Sequence, residues 1–296
     1  MKAVEAQCPA SRRSLGQPGL AASPKVILSR KGFDTGSGGC PSPVMPDGQM
    51  LSLPIPDPGS PITYGHTLVP GREASYYEVM TGLGIGTVTA SGKRTPLTPD
   101  LGAHLDPDLV AASRSRQEGW LPSLGQVGSS QSHLRKKDVR PGDLMLFFGL
   151  FRHTVGRAGR LVPTGRRFHA VWGWLEIGGI FDVKHDVPAW ATDHPHAVAR
   201  GLARYQVGDN VLYTASRACY WAGGALPGGG VLDWSRQRLL TDGERCSTWR
   251  LPAAFHPEAT TSPLSYHGKP ERWTHDGPHV LLDTRRSRPG VRGRGQ

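Results

Sequence analysis

Glycine and proline interrupt this chain so often that short strands, much ordered loop and few long helices are expected before any motif is read. There are 39 Gly and 26 Pro among 296 residues. Proline removes a backbone donor and clashes with the preceding helical turn, and an interior glycine costs about 1 kcal/mol relative to alanine. Between these breaks lie short runs rich in Val, Ile, Phe, Trp and Leu, at residues 25–29, 143–149, 168–176, 180–183, 210–215 and 279–282. Such runs are expected strands, and FHAVWGWLE at 168–176 is the strongest. Helix signals are few. Asp193-His194-Pro195 reads as a cap followed by an early proline, opening a helix over 196–205. A second short helix is expected from 129 to 134. The expected fold is α+β: one domain with a strongly bent, mostly antiparallel sheet or partial barrel and a few short helices.

Residues 1–23 are polar and small without periodicity, and read as a disordered N-terminal extension. Residues 285–296, RRSRPGVRGRGQ, cannot build a core and read as a basic flexible tail. The 24–284 segment between them shows no linker or repeat, so one compact domain is expected there.

The formal net charge is +11 and the isoelectric point about 9.9, which favours a polyanionic partner, a nucleotide or nucleic acid. The termini hold part of this excess. The interior holds the rest, in Arg135-Lys136-Lys137, Arg157, Arg160, Arg166 and Arg167. Four cysteines, Cys8, Cys40, Cys219 and Cys246, form no CxxC pair, which excludes zinc-ribbon and thioredoxin-like readings. That usage suits a reducing compartment. With no apolar run near the roughly 20 residues a bilayer span needs and no signal-like N-terminus, a cytoplasmic protein without a membrane partner is expected.

Several polar strings can carry chemistry. In 29–43, the cations Arg30 and Lys31 and the amides around Gly38 and Gly39 can hold a phosphate, with Asp34 on a hydroxyl, a base edge or a metal. The plain alternative is a glycine-rich turn in which Asp34 caps its own backbone. The pattern matches neither the P-loop nor the dinucleotide fingerprint. His104 and Asp106 are two apart, so extended backbone points them the same way, as a metal pair or an acid–base pair. The competing reading is an Asp-Pro turn beside a surface histidine.

Further along, small residues before a helix start at 125–133 can seat an anion, while Gln126 and Gln131 can read base edges and His133 can act as an acid or base. His169 lies out of phase with Trp172 and Trp174. Those aromatics either stack on bases or belong to the core. His194-Pro195-His196 has the look of a metal pair, but no third ligand is evident along the chain, and helix capping is the preferred reading. Cys40 is read as small buried filler.

The strings SRKGFDTGSGGCPSP, HLDPDL, GQVGSSQSHL, RPGDLMLFFGLFR, FHAVWGWLEIG, DHPHA, NVLYTAS and WRLPAAF…LSYHG occur in an order that resembles the family called nucleotide modification associated domain 3, from about Lys25 to Leu282. The resemblance implies a bacterial or phage protein found beside systems that modify or restrict nucleic-acid bases. It does not supply a reaction. It places Lys31, Asp34, His104, Asp106, Gln126, Gln131, His133, Arg152 and His169 in the recurring strings. Separately, Val139-Arg140-Pro141-Gly142-Asp143 and the strands after it are similar to the barrels associated with pseudouridine synthases, a turn that many folds share.

Together these readings predict a nucleobase- or nucleotide-modification protein in a DNA modification or restriction context. Asp34, His104, Asp106 and His133 are the expected catalytic groups. Arg30, Lys31, Gly38, Gly39, Gln126, Gln131, Arg152 and His169 are the expected phosphate and base contacts. The alternative is a non-catalytic reader that grips a modified base in DNA or RNA. Cofactor, metal and oligomeric state do not follow from the residues.

Overall fold

The structure, a computed structural model, describes residues 24–198, 203, 205, 208–260 and 264–285. The expected N-terminal extension, nearly all of the basic tail and half of the helix expected over 196–205 lie outside these residues.

In chain order the strands are β1 (Val26–Arg30), β2 (Ser42–Val44), β3 (Ile55–Pro56), β4 (Thr87–Ala90), β5 (Lys93–Pro96), β6 (Ala103–His104), β7 (Ser123–Val127), β8 (Leu144–Arg157), β9 (Arg160–Asp182), β10 (Asn210–Ala215), β11 (Gly229–Val231), β12 (Thr248–Pro252), β13 (Trp273–Asp276) and β14 (His279–Asp283). The helices are α1 (Tyr76–Gly82) and α2 (Gly128–Lys136). The main sheet runs β1-β8-β9-β10-β7, with β2 on β8 and β11 on β9. Strands β1 and β2 lie parallel to β8, and the other pairings are antiparallel.

The strand expected at 210–215 is β10 to the residue. The runs at 168–176 and 180–183 are a single strand, β9. Gly178 and Gly179 interrupt the apolar pattern but do not end the strand; the register with β10 shifts at Gly178, as in a bulge. Gly179 pairs with Thr214, and at Gly178 a Cβ would press into the backbone at Ser216. Glycine here permits close approach of two strands instead of ending one. The balance is also corrected. The fold is mostly β, with two α-helices among the described residues, and the sheet is open, since β1 and β7 end the order without pairing. The partial barrel is therefore not supported.

Helix α1 begins with a capping box: Ser75 Oγ accepts from the Glu78 amide at 3.2 Å, and Glu78 Oε2 accepts from the Ser75 amide at 2.7 Å. The string Ser75-Tyr76-Tyr77-Glu78 carries that signature. Side chains of adjacent strand residues face opposite ways. Phe147 thus enters a core with Leu124, Met145, Leu175 and Tyr213, while Phe148 enters another with Trp249, Trp273, Val280 and Leu282. The second core seats the sheet β12-β14-β13 on the back of β8. A third core, with Phe33, Leu53, Tyr64 and Met80, holds α1 and β4 against the loops after β1. Burying each such side chain contributes about 1.5–3 kcal/mol. Among the described residues no helix is long and apolar enough to cross a membrane.

Candidate functional site

Lys31 directly follows β1, and its amide continues the β1–β8 ladder by donating to Phe148 O at 2.9 Å. This register aims its side chain at Asp106, where Nζ donates to Oδ2 at 2.9 Å. Asp106 stands two residues beyond His104, the last residue of β6. Strand β7 fixes the segment: Asp108 and Ser123 exchange backbone hydrogen bonds at 2.9 Å, and the Gly125 amide donates to Asp106 Oδ1 at 2.6 Å.

Around the Asp106 carboxylate stand three imidazoles. His104 Nε2 and His196 Nε2 lie 3.8 and 3.9 Å from Oδ2, and His194 Nε2 lies 3.6 Å from Oδ1. The loop carrying His194 and His196 is tied down from both ends. Arg114 bridges Asp193 and the buried Asp108, and Asn210 at the start of β10 bonds both the ring and the backbone of His196. Gly125 is required here because a Cβ would overlap the His196 ring.

The cluster is dry: the Asp106 and His194 side chains are each 2 % exposed. Burial pushes the Asp106 carboxyl up, but Lys31, followed by His196, His104 and His194, more than offsets this and holds it well below the usual carboxylate range. Burial drives His194 well below the ordinary imidazole value and His196 down to about 4, against the pull of Asp106. Near neutral pH the centre therefore holds an ionised Asp106 and neutral His194 and His196. A cavity of about 80 Å³ opens beside it, lined among others by Asp106, Asp108, Tyr76, Leu53 and Trp172. That is several times the room one water needs. The buried indole N–H of Trp172 has no hydrogen-bond partner. A donor left so in a cavity wall is available to a ligand.

Of the expected residues, Lys31, His104 and Asp106 come together. The others do not join them. Asp34 pairs with Arg30 at 3.0 Å and accepts from the Gly36 and Ser37 amides at 2.6 Å. The Gly38 amide donates to Thr89 O and that of Gly39 to Asp34 O, each at 2.9 Å. The amides that a phosphate would need are thus used within the turn, and Asp34 caps its own loop. Gln131 is buried with its Oε1 accepting from Tyr213 at 2.9 Å, so it braces α2 on β10 and cannot read a base edge. His133 stacks on Tyr266 with ring centroids 5.0 Å apart. His169 accepts from Trp249 Nε1 at 3.0 Å. Arg152 is exposed and donates to Gly165 O at 3.0 Å. Gln126 is half-buried on β7, next to Gly125.

His194 and His196 serve in the cluster, where capping was the preferred reading. Asp57 and Asn210, the outer partners of two rings, were not among the expected site residues. The HPH string did carry a signal, and the residues it meets, His104 and Asp106 of the HLD string, lie some 90 residues upstream.

The sequence profile of the nucleotide modification associated domain 3 family matches residues 25–290. The chain belongs to that family. The match covers every residue of the cluster, so the cluster lies within the family domain and not in an appendage. No curated protein and no solved structure matches the chain.

Proposed function

We propose that this chain is an enzyme that modifies a base or nucleotide in nucleic acid, using the Asp106 cluster as its reacting centre. The observation that carries the reading is the convergence of Lys31, His104, His194 and His196 on one buried carboxylate beside a cavity. Taking such groups out of water is costly, and an apolar core of the same volume would be at least as stable. Perturbed, mutually coupled ionisable groups beside a cavity mark reactive sites. The family's description, nucleotide modification associated domain 3, supports a nucleotide-related substrate.

A polymer is favoured over a free nucleotide by the distal part of the β8–β9 hairpin. From Leu144 to Leu175 the chain has no Asp or Glu, and it carries Arg152, Arg157, Arg160, Arg166 and Arg167. All five are exposed, and Arg157 and Arg160 pair at the tip of a two-stranded ribbon, a shape that fits a major groove, with guanidinium groups suited to phosphates.

The test is mass spectrometry of nucleosides from DNA exposed to the protein in cells. Wild-type protein is expected to change one nucleoside. Asp106→Asn should abolish the change while Asp34→Asn keeps it. A chain that binds modified DNA equally well with Asn at 106, and alters no nucleoside, is a reader and not an enzyme.

A further inference from the structure

Each ring nitrogen in the cluster has its role dictated by its outer partner. Asn210 Nδ2 donates to His196 O at 3.0 Å, which orients the amide so that Oδ1 faces His196 Nδ1 at 3.0 Å. An amide oxygen only accepts, so His196 Nδ1 carries the proton and Nε2 the lone pair. His104 Nδ1 faces Asp57 Oδ2 at 3.3 Å, which by the same logic leaves the lone pair on His104 Nε2. His194 is the reverse: its Nδ1 accepts from the His196 amide at 3.2 Å, so its Nε2 carries a proton, buried and without a hydrogen-bond partner.

Two lone pairs thus point at the same oxygen, Asp106 Oδ2, from 3.8 and 3.9 Å. Three acceptors facing one another repel unless a cation sits between them. Lys31 Nζ donates to Oδ2 at 2.9 Å, which offsets the carboxylate charge and leaves the two ring lone pairs facing each other. We propose that His104 Nε2, His196 Nε2 and Asp106 Oδ2 bind one divalent transition-metal ion of the zinc and ferrous class. The three ligand atoms already lie within 4.8 Å of one another. Metal bonds of about 2.0–2.1 Å bring neighbouring ligands to about 3 Å, so each ring needs to close on Oδ2 by roughly an ångström and the two rings on each other by at most about 2 Å.

Two imidazoles and a carboxylate suit zinc, iron, cobalt, nickel or manganese. An all-oxygen set would suit calcium or magnesium, and thiolates would suit copper(I). Three protein ligands leave positions open for water or substrate. Asp57 and Asn210 fill the outer shell, fixing tautomer and ring orientation as partners of metal-bound histidines do. Asp106 Oδ1, engaged by the Gly125 amide and facing His194 Nε2–H, keeps the carboxylate turned so that Oδ2 is presented.

The inference does not rest on the substrate class proposed above, and its test reads no turnover. Chelator-treated full-length protein is titrated with Co²⁺ and with Zn²⁺ by calorimetry, with Co²⁺ also followed by visible absorption. One ion per chain is expected, with micromolar or tighter affinity. His104→Ala and His196→Ala should each weaken it at least 100-fold, and Asn210→Ala by 10–100-fold. Loss of the exposed His66 (His66→Ala) should change nothing. Circular dichroism checks that each variant folds. The wild-type titration decides the matter even where a variant does not fold. No stoichiometric binding to wild-type, or binding that survives both ligand substitutions in folded protein, overturns the proposal.

Discussion

Burying the Asp106 carboxylate exposes the fold to a desolvation cost that one ammonium, 2.9 Å away, offsets. Lys31→Met removes that ammonium and leaves the acid uncompensated. Denaturant melts in chelator at pH 7 are expected to show a loss of about 3–5 kcal/mol. Gly125 is the second sensitive position. Gly125→Ala should displace the His196 ring while leaving the sheet folded, so nucleoside modification falls sharply with little change in far-ultraviolet circular dichroism.

His169 sets an acid limit away from the cluster. Burial, then the charge of Arg30, lowers its pKa from the ordinary value to about 4, and its Nδ1 accepts from Trp249. Because the folded value is lower, the unfolded chain binds more protons below about pH 6.5. Stability is therefore expected to fall between pH 6.5 and about 4, by on the order of 2–3 kcal/mol. Protonation also turns the Nδ1 acceptor into a donor facing another donor. Urea midpoints at pH 7 and 5 measure the loss, and His169→Gln should remove the His169 share while the buried His194 and His196 keep theirs.

At the scale of elements, the β8–β9 ribbon and α1 make separable predictions. Arg157→Glu with Arg160→Glu should weaken binding to duplex DNA and reduce the slope of log affinity against log salt by about one unit or more per lost phosphate contact, without altering melting temperature. An unchanged slope would remove the ribbon from the interface. The α1 capping box is local: Ser75→Ala is expected to cost about 1 kcal/mol, read in thermal melts. That helix was legible in principle, since Ser-x-x-Glu before apolar Val79 and Met80 is a start signal. Its seven residues are too few for apolar periodicity to show clearly.

Across the whole molecule, β1, β10, β14 and parts of β8 and β9 followed from local chemistry because β-branched and aromatic runs between glycines and prolines have few other uses, whereas shorter strands such as β7 carried no such run. Residues 210–215 are the clearest case. The joining of 168–176 to 180–183 was hidden because Gly178 and Gly179 read as a break until β10 and Ser216 are present to pack against them. The pairing of His104 with Asp106 was legible locally, and both side chains meet in the cluster. The free amides of the glycine loop were not countable locally, because that requires knowing that Thr89 lies opposite Gly38. Family membership was likewise carried by ordered strings alone. What residues in sequence order determined, then, were strand-forming segments, basic character, family and three members of the cluster. The tertiary structure alone decided the rest. Which histidines meet Asp106, and which ring nitrogen keeps its lone pair, depend on contacts between groups up to some 90 residues apart, and proximity across such separations arises from packing rather than from local preference.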